Sequence, residues 1–317
     1  MEYTTFGNTG LKVSKLCFGT WGIGGAGWDE YSEEVRLDAL HEALEQGINF
    51  FDTAPAYNTG AAEKLIGRVL EESGKRKDCV IATKCGNDFI DGKYVRNGSG
   101  AYIKEQIERS LEYLRTDYID IYLLHWPDPS VPLEDTFGAL QELREAGKVH
   151  FIGVCNHTAE QLAAANKVCP LDVSQEQFSM LVQSKVPTLR AAAEQGMGTM
   201  AYGALGGGML TGRYRTLETY EEMDSRNRFY PFFREPGFSK AMNLLTRLDR
   251  IAAECGTSLP QLTLRWTMEQ DFVSVVLFGA QMAERVRTNV RALSLRLSPE
   301  KIAAIDRAIA QEFPPEG

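Results

Sequence analysis

Short apolar runs alternate with longer stretches of helical periodicity along most of this chain. The apolar runs are rich in β-branched and aromatic residues, and several are continuous, as in parallel strands that are buried on both faces. The stretches between them carry apolar residues at intervals of three and four, as on one face of a helix. The pattern predicts eight strands, at residues 15–21, 48–54, 79–85, 118–125, 150–156, 171–178, 198–205 and 272–280.

A helical stretch follows each strand. Residues 32–47 begin at Ser32, carry acidic residues in the first turn and stop at Gly47, which is the usual order of helix signals. The other stretches are residues 61–74, 102–115, 133–148, 157–167, 186–196, 258–270 and 282–293. Eight strands that are each followed by a helix close most simply into a (β/α)8 barrel, with an open doubly wound sheet as the alternative.

Three segments lie outside this repeat. Residues 4–16 carry a turn signal from Asn8 to Gly10 between two short β-like runs, so we expect a hairpin that closes the bottom of the barrel. Residues 206–237 form a loop that is too long for a plain connection and is therefore a functional candidate. Residues 237–256 and 298–313 predict an extra helix and a final outer helix. The expected fold is an α/β TIM barrel with an N-terminal β-hairpin cap and extra C-terminal helices, in a single domain over residues 1–317.

Composition restricts the partners of the protein. Its 317 residues suit one barrel, and a net charge of −9 argues against nucleic acid or an anionic membrane, which attract clustered Lys and Arg. Six scattered cysteines lack metal spacing and suit reduced thiols in the cytoplasm, and no histidine pair has zinc spacing. The chain start lacks a signal-peptide pattern, and no apolar run reaches the roughly 18 to 20 residues of a membrane helix. We expect a cytoplasmic protein without a metal, acting on a small molecule, with its oligomeric state open.

Four polar residues fall at or just after predicted strand ends: Asp52, Tyr57, Lys84 and His125. The carboxyl ends of barrel strands meet at the active-site face, so these side chains can converge. An ammonium beside a phenol lowers the phenol pKa from its usual value near 10, so we expect Lys84 to acidify Tyr57. Such a tyrosine can protonate a carbonyl oxygen. Taken singly, the residues also suit structural roles: a buried ion pair, a packed loop tyrosine and a core histidine.

The sequences around the four residues resemble the catalytic tetrad of the aldo-keto reductases. The matching contexts are GINFFDTAPAY, VIATK and YIDIYLLHWPD, and the resemblance runs from GNTGLKVSKLCFGTW through GAQMAERVRTN. It is nearest to the bacterial general-stress and inositol-utilisation branches. The resemblance implies reduction of aldehydes and ketones with a nicotinamide cofactor, and it implies catalytic roles for Asp52, Tyr57, Lys84 and His125.

The resemblance also implies a cofactor site, although the chain has no strand–GxGxxG–helix fingerprint. The glycine-rich residues 22–27 are interpreted as a flexible loop near the site. Arg285 matches the family's arginine near the adenosine 2′-phosphate, which favours NADPH over NADH; a solvated helix charge is the alternative. Cys155 stands where the family usually has Ser. The implied cofactor residues are Gly19, Thr20, Trp21, Asp52, Asn156, Gln175, Tyr202, Gly203, Ala204, Leu205, Gly207, Arg213, Gly279, Gln281, Arg285 and Asn289.

A substrate pocket is implied at the same barrel mouth. Its expected lining is Trp21, Ala56, Tyr57, Gly86, His125 and Trp126. Aromatic residues in the segment 226–233, together with Trp28 and Phe89, are candidates for a rim or lid. Arg226, Arg228 and Arg234 either recognise an anionic substrate or hold the 206–237 loop in place, and the sequence leaves both roles open.

The leading functional prediction is an NADP(H)-dependent aldo-keto reductase that reduces an aldehyde or ketone, with Tyr57 as general acid. One alternative is the reverse reaction, the oxidation of a sugar or polyol hydroxyl with NADP⁺. Another is a cofactor-sensing regulatory subunit that binds NADPH and turns over slowly.

Overall fold

A closed barrel of eight parallel strands forms the centre of the protein. The computed structural model describes residues 1–90 and 93–314. In this range the strands are β1 (Tyr3–Thr5), β2 (Lys12–Ser14), β3 (Leu16–Gly19), β4 (Phe50–Asp52), β5 (Val80–Cys85), β6 (Asn87–Ile90), β7 (Lys93–Arg96), β8 (Ile119–Leu124), β9 (Val149–Cys155), β10 (Val173–Gln177), β11 (Gly198–Tyr202) and β12 (Val275–Gly279). The barrel order is β3-β4-β5-β8-β9-β10-β11-β12, and β12 pairs with β3 to close it.

The closed order confirms the predicted barrel and excludes the open sheet. Each of the eight predicted strands lies in the barrel, in chain order. Several predicted strands were too long: the first barrel strand ends at Gly19 and not at residue 21, the seventh ends at Tyr202 and not at residue 205, and the eighth begins at Val275 and not at residue 272. Trp21 instead begins a short helix, Trp21–Gly24, which covers the first part of residues 22–27, where only a flexible loop was expected.

Helices surround the barrel on its outer face. In the part of the chain that the structure describes they are α1 (Trp21–Gly24), α2 (Glu33–Glu45), α3 (Ala61–Glu72), α4 (Gly100–Leu114), α5 (Leu133–Glu145), α6 (Ala159–Val168), α7 (Val186–Glu194), α8 (Ser225–Phe229), α9 (Gly237–Glu254), α10 (Leu259–Met268), α11 (Ala283–Val290) and α12 (Pro299–Glu312). The two extra helices predicted near the C-terminus are α9 and α12, and they pack against each other. Between them, Arg247 and Glu312 form an ion pair of 2.6 Å. None of the helices described has the length and apolar character needed to cross a membrane.

Local sequence explains where several helices start. Ser32 accepts a hydrogen bond from the Val35 amide at the start of α2, and Thr158 with Gln161 forms a reciprocal capping box at α6. These side chains satisfy amide groups that the first helical turn leaves without intrahelical partners.

The N-terminal hairpin covers the amino-terminal end of the barrel, as predicted. Strands β1 and β2 pair antiparallel, with Tyr3 opposite Ser14. Phe6 is fully buried, and its ring lies 5.3 Å from the ring of Phe50. The Asn8 amide donates to the carbonyl oxygen of Gly196, which ties the turn to the start of β11. This plug leaves the other end of the barrel as the accessible mouth.

A second hairpin, β6–β7, rises beside the barrel mouth and was not predicted. It follows β5 directly, and Asn87 pairs with Arg96 at its base. The sequence does hold a signal for it, because Asp-Gly at positions 91 and 92 is a preferred hairpin dipeptide between β-type residues. The hairpin extends one side of the barrel mouth, and the strand–helix repeat alone did not indicate this extension.

A buried carboxyl group lies behind the strand ends and gives a stability prediction. Glu63 is fully buried, and the Thr83 hydroxyl donates to its Oε1 at 2.6 Å. Burial, opposed by the Thr83 hydrogen bond, raises the pKa of Glu63 from 4.5 to about 7. The folded protein therefore binds this proton more tightly than the unfolded chain does, and the free energy of unfolding falls as the pH rises from about 4.5 to 7.

We expect Glu63→Gln to stabilise the protein at pH 8 and to have little effect at pH 4.5. The amide removes a buried charge whose cost at high pH is on the order of 2 kcal/mol. Thermal unfolding at both pH values, with the exposed Glu45→Gln as control, measures this difference. A gain that is equal at the two pH values would contradict the assignment.

Candidate active site

Lys84 lies at the centre of a hydrogen-bonded cluster at the carboxyl ends of the strands. Its Nζ donates to both Asp52 carboxylate oxygens at 2.9 Å and to the Thr53 carbonyl oxygen at 2.8 Å. It also lies 3.1 Å from the Tyr57 hydroxyl. Strand register explains the meeting: Asp52 pairs with Ala82, and Lys84, two residues farther on, points to the same face. The Lys84 side chain is 1% exposed, so the ion pair is shielded from water.

The turn after β4 returns the Tyr57 phenol to this cluster. The Tyr57 amide donates to the carbonyl oxygen of Ala54, which closes the turn. Asn58 adopts a positive φ of 54°, and its side-chain amide donates to the Gly24 carbonyl oxygen at 2.7 Å. The Tyr57 ring stacks on Trp21 with a centroid separation of 6.2 Å. These contacts fix the phenol between α1 and Lys84.

His125 follows β8 and completes the predicted tetrad. Its ring lies 6.1 Å from the Tyr57 ring, centroid to centroid, in an edge-to-face arrangement. Burial, and then the positive charges of Lys84 and Arg96, lower the pKa of His125 well below 6.5. The imidazole is therefore neutral at pH 7 and presents one N–H donor. Its Nδ1 is buried without a hydrogen-bond partner among the described residues.

The pKa of Tyr57 corrects one prediction. We expected Lys84 to lower the phenol pKa, but burial, and then the Asp52 carboxylate, raise the pKa of Tyr57 well above 10. Burial is the larger cause, because it disfavours the charged phenolate, and Asp52, which lies against Lys84, adds a negative charge near the phenol. Tyr57 is therefore a protonated acid at neutral pH. The ammonium 3.1 Å away is placed to stabilise the phenolate once the proton has left.

Two carboxamides lie beside the tetrad. Asn156, at the end of β9, has φ 63° and donates from Nδ2 to the His125 carbonyl oxygen at 2.9 Å. Its Oδ1 accepts from the Tyr202 hydroxyl at 2.5 Å. Gln175 donates to the Asp52 carboxylate at 2.7 Å. The Cys155 thiol lies between the two amides, 3.2 Å from Asn156 Nδ2 and 3.4 Å from Gln175 Oε1, so it occupies the place expected for the serine.

A cavity of about 910 Å³ opens above these residues, at the upper end of the usual range for small-molecule and cofactor sites. Most of the predicted site residues lie on its wall. They are Gly19, Trp21, Asp52, Tyr57, His125, Trp126, Asn156, Gln175, Tyr202, Gly203, Ala204, Leu205, Gly207, Arg213, Gly279, Gln281, Arg285 and Asn289.

Three predicted contact residues do not lie on the cavity wall. Thr20 is fully buried, and its hydroxyl donates to the Asp52 carbonyl oxygen at 2.8 Å, so it braces β4. Ala56 is 1% exposed beneath Tyr57. Gly86 donates its amide to Gln106 at 2.9 Å and turns the chain into β6 at φ +74°. Lys84 is likewise absent from the wall, because it lies behind Tyr57 and Asp52.

Sequence reasoning missed other wall residues, several of which come from two segments. Asn87, Tyr94 and Arg96 belong to the β6–β7 hairpin, and their signal was the Asp-Gly dipeptide. Thr211 and Tyr214 belong to the 206–237 loop, whose role as a candidate was predicted without assigning these residues. The side chain of Phe89, a predicted rim residue, lies outside the described part of the chain.

Two segments meet over the cavity through Asp29. Its carboxylate accepts from Arg213 at 2.7 Å and from Arg226 at 2.8 Å, both in the 206–237 loop. From the other side, the Gln281 side-chain amide donates to the carbonyl oxygens of Gly22 and Asp29 at 3.0 and 2.9 Å. Arg213 and Gln281, predicted as direct cofactor contacts, therefore also join the segments that cover the cavity.

The cavity wall fits a dinucleotide in charge and shape. Met282, the residue before α11, makes no side-chain capping bond, so the first amides of this helix are available to an anion. Arg285 lies one turn along, with its guanidinium 3.1 Å from the Tyr31 hydroxyl. At the other end lie the carboxamides of Asn156 and Gln175. At Gly207, with φ 61°, an added Cβ would lie 2.8 Å from the Tyr230 ring, so glycine keeps this part of the wall free of a side chain. A nicotinamide dinucleotide would thus have polar groups at both ends of the cavity.

Comparison with known proteins decides the family. A model described as the aldo/keto reductase family matches residues 15–310. The chain belongs to this family. It is therefore an oxidoreductase of the aldo/keto reductase family, and the family resemblance predicted from the tetrad is confirmed. The narrower prediction, which concerned the branch of the family, stays a prediction.

Individual relatives of this aldo/keto reductase match over nearly their full length. An aldo-keto reductase of Bacillus subtilis, YhdN, is 38% identical, over 89% of this chain and 85% of the relative. An NADH-specific methylglyoxal reductase of Escherichia coli is 32% identical, over 94% and 95%. The solved structure of a glycerol dehydrogenase from Gluconobacter oxydans, AKR11B4, is similar with a TM-score of 0.86 and 30% identity, over 97% and 94%.

Proposed function

We propose that this aldo/keto reductase reduces an aldehyde or ketone with NADPH, and that Tyr57 is the general acid. One observation carries the proposal: a protonated phenol faces the cavity within 3.1 Å of a buried ammonium that Asp52 holds in place. A carbonyl that gains an electron pair at carbon becomes basic at oxygen, and these groups are arranged to protonate it.

Each residue has a separate task in the proposed reaction. Bound NADPH supplies a hydride to the carbonyl carbon. The neutral imidazole of His125 donates a hydrogen bond to the carbonyl oxygen and orients it toward Tyr57. Tyr57 gives its proton to that oxygen, and Lys84 stabilises the resulting phenolate. Asp52 fixes Lys84, and the Gln175 amide holds Asp52. The phenolate then takes a proton from solvent.

The preference for NADPH rests on Arg285. It lies on the cavity wall on the first turns of α11, where a phosphate attached to the ribose would meet both a guanidinium and free helix amides. The Escherichia coli relative is specific for NADH, so this preference needs its own measurement.

Arg285→Ala is expected to weaken NADPH binding about tenfold and to change NADH binding less than about twofold, because only NADPH carries the 2′-phosphate. Fluorescence titration of both cofactors measures the two dissociation constants. Arg287→Ala, on the same helix but paired with Glu42, is the matched control. Equal weakening of the two cofactors by Arg285→Ala would remove the 2′-phosphate assignment.

A second candidate is the oxidation of a sugar or polyol hydroxyl with NADP⁺. The structural similarity to a glycerol dehydrogenase favours it. In that direction Tyr57 would act as a base and would first have to lose its proton. The same residues serve both directions, and we place reduction first because relatives such as the methylglyoxal reductase of Escherichia coli are named for it.

The test is NADPH consumption with an aryl aldehyde, a short aliphatic aldehyde, methylglyoxal and several keto-sugars, beside NADP⁺ reduction with glycerol and other polyols. Faster carbonyl reduction at neutral pH supports the proposal, and faster polyol oxidation there favours the second candidate. Tight NADPH binding without turnover in either direction would contradict both and favour a cofactor-sensing role.

A further inference from the structure

Two arginines face the substrate end of the cavity without a carboxylate partner. Arg96, on β7, and Arg228, on α8, both lie on the cavity wall. Neither guanidinium forms an ion pair with any residue in the ranges 1–90 and 93–314, although one N–H group of Arg228 contacts the Met223 sulfur at 3.9 Å. Arg96 lies over the Trp126 ring at 4.9 Å, and Arg228 lies over the Tyr94 ring at 5.1 Å. Ring contacts of this kind hold a guanidinium in place and leave its N–H groups available.

The other arginines of the long loop have different roles. Arg226 is buried, and its guanidinium pairs with Asp224 at 2.6 Å and with Asp29 at 2.8 Å. Arg213 pairs with Asp29 as well. Arg234 is exposed, as Arg96 and Arg228 are, but unlike them it does not belong to the cavity wall. The structure thus separates two roles that the sequence left open: Arg226 holds the loop, whereas Arg228 faces the cavity.

Barrel order places the unpaired arginines away from the cofactor phosphates. Arg285 belongs to the helix after β12, whereas Arg96 belongs to the hairpin after β5, three strands away through β3 and β4. The 206–237 loop crosses the mouth and brings Arg228 to the same hairpin, with the rings of Phe229 and Tyr94 6.4 Å apart.

Short ring contacts connect both arginines to the tetrad. Phe229, next to Arg228, lies 5.1 Å from the Trp21 ring, and Trp21 stacks on Tyr57. Trp126, beneath Arg96, follows His125 directly. The charge of Arg96 also acts on His125, where it helps to lower the pKa of that imidazole. Both guanidinium groups therefore lie on the wall of the cavity into which the Tyr57 phenol opens.

We propose that Arg96 and Arg228 bind the anionic group of the substrate, so that this enzyme prefers aldehydes or ketones carrying a carboxylate or phosphate. The inference rests on the proposed carbonyl reduction and names its substrate class. The anionic group is unchanged in the reaction: hydride adds to the carbonyl carbon, and the Tyr57 proton adds to its oxygen. Guanidinium groups bind both kinds of oxyanion through paired hydrogen bonds.

The charge distribution supports a local anion site. The whole chain carries a net charge of −9, so an anionic substrate needs a local positive region to approach. Asp128 is a carboxylate near Arg96: hydrogen bonds from Ser130 and Gly98, and then the charge of Arg96, lower its pKa. Its oxygens accept from the amides of Gly98 and Ser130 at 2.9 and 3.0 Å. At the cavity floor, the Asp52 carboxylate is paired with Lys84.

The test compares substrates that differ only in charge. One pair is 4-carboxybenzaldehyde and its methyl ester, whose stronger electron withdrawal affects the wild type and the variants alike, so that the change of the ratio between them is the readout. The other is glyceraldehyde 3-phosphate and glyceraldehyde. For each pair, kcat/KM is measured with NADPH in the wild type, Arg96→Gln, Arg228→Gln and the double variant. Arg234→Gln is the matched control, because it removes the same charge from the same loop away from the cavity wall.

The wild type should favour the anionic member of at least one pair. That ratio of kcat/KM values should fall about fivefold or more in each single variant and further in the double variant, with the larger change in KM. It should stay constant in Arg234→Gln and fall with added salt, because partly exposed charges are screened. The pair with the larger ratio identifies carboxylate or phosphate as the preferred group.

Two results would overturn the inference. The first is an equal kcat/KM for the neutral and anionic members of both pairs, or a ratio that is the same in the wild type and the double variant. In that case the arginines do not select substrate, and the proposed reduction still stands. If no member of either pair is reduced while Tyr57 is intact, carbonyl reduction itself fails and the inference fails with it.

Discussion

Tyr57→Phe is expected to lower the rate of carbonyl reduction by about three orders of magnitude, the upper part of the range for removing a general acid. The phenol is the acidic group of the tetrad that faces the cavity in its protonated form, whereas Lys84 lies behind the wall and the Asp52 carboxylate is paired with it. The neutral His125 imidazole is too weak an acid to replace it at pH 7. The measurement is single-turnover NADPH oxidation with saturating substrate.

Cofactor affinity separates this result from misfolding. Phenylalanine keeps the ring that stacks on Trp21 and removes only the hydroxyl contact to Lys84. We therefore expect NADPH to bind Tyr57→Phe within about threefold of the wild type, a difference below 1 kcal/mol. Tyr113→Phe, on α4 and away from the cavity, is the control for loss of a tyrosine hydroxyl. A Tyr57→Phe rate within tenfold of the wild-type rate would show that another group donates the proton.

Lys84→Met is expected to reduce both turnover and stability. Methionine approximates the volume but leaves the Asp52 carboxylate buried with no cation, which costs about 3 to 5 kcal/mol for a buried pair that loses one partner. Turnover should fall by at least about a hundredfold, because the phenolate formed at Tyr57 loses its stabilising charge. Chemical denaturation and steady-state reduction measure the two effects.

The double variant Asp52→Asn/Lys84→Met distinguishes the two effects. Without either charge, no uncompensated ion remains in the core, so the free energy of unfolding should recover most of the loss. Gln175 can still donate to the amide oxygen at position 52. Activity should stay as low as in Lys84→Met. Recovery of activity together with stability would mean that Lys84 acts only as a structural residue.

The barrel and the tetrad were predictable because both follow from regular geometry. Buried parallel strands produce continuous apolar runs, and helices produce a period near 3.6, so the eight repeats were visible. Asp52, Lys84 and His125 end consecutive barrel strands, which brings them to one face. The contact at 3.1 Å between Lys84 and Tyr57 agrees with the predicted convergence.

The direction of the Tyr57 pKa shift was not predictable, because it depends on burial and on which neighbour offsets which charge. The sequence indicates that a lysine lies near, but it does not show that this lysine donates to both carboxylate oxygens of Asp52. The arginines of residues 226–234 raise the same difficulty. They are equivalent in sequence and differ only in where the folded loop places them.

Thr20, Ala56 and Gly86 were placed by resemblance at contact positions, and each lies just behind the wall. Their backbones adjoin the site, but their side chains brace or turn the chain instead. A position that matches a motif therefore fixes the neighbourhood of a residue more firmly than the direction of its side chain.

The segments that cover the barrel mouth and the residues that donate and stabilise the proton come from different parts of the chain. Hairpin β6–β7 and helix α8 carry Arg96 and Arg228, whereas Asp52, Tyr57, Lys84 and His125 lie at the ends of the barrel strands or in the turn after β4. Directed evolution restricted to hairpin β6–β7 and helix α8 can therefore change which carbonyl compounds are accepted while the proton donor stays intact. In this scaffold, selectivity and intrinsic rate should evolve as separable traits.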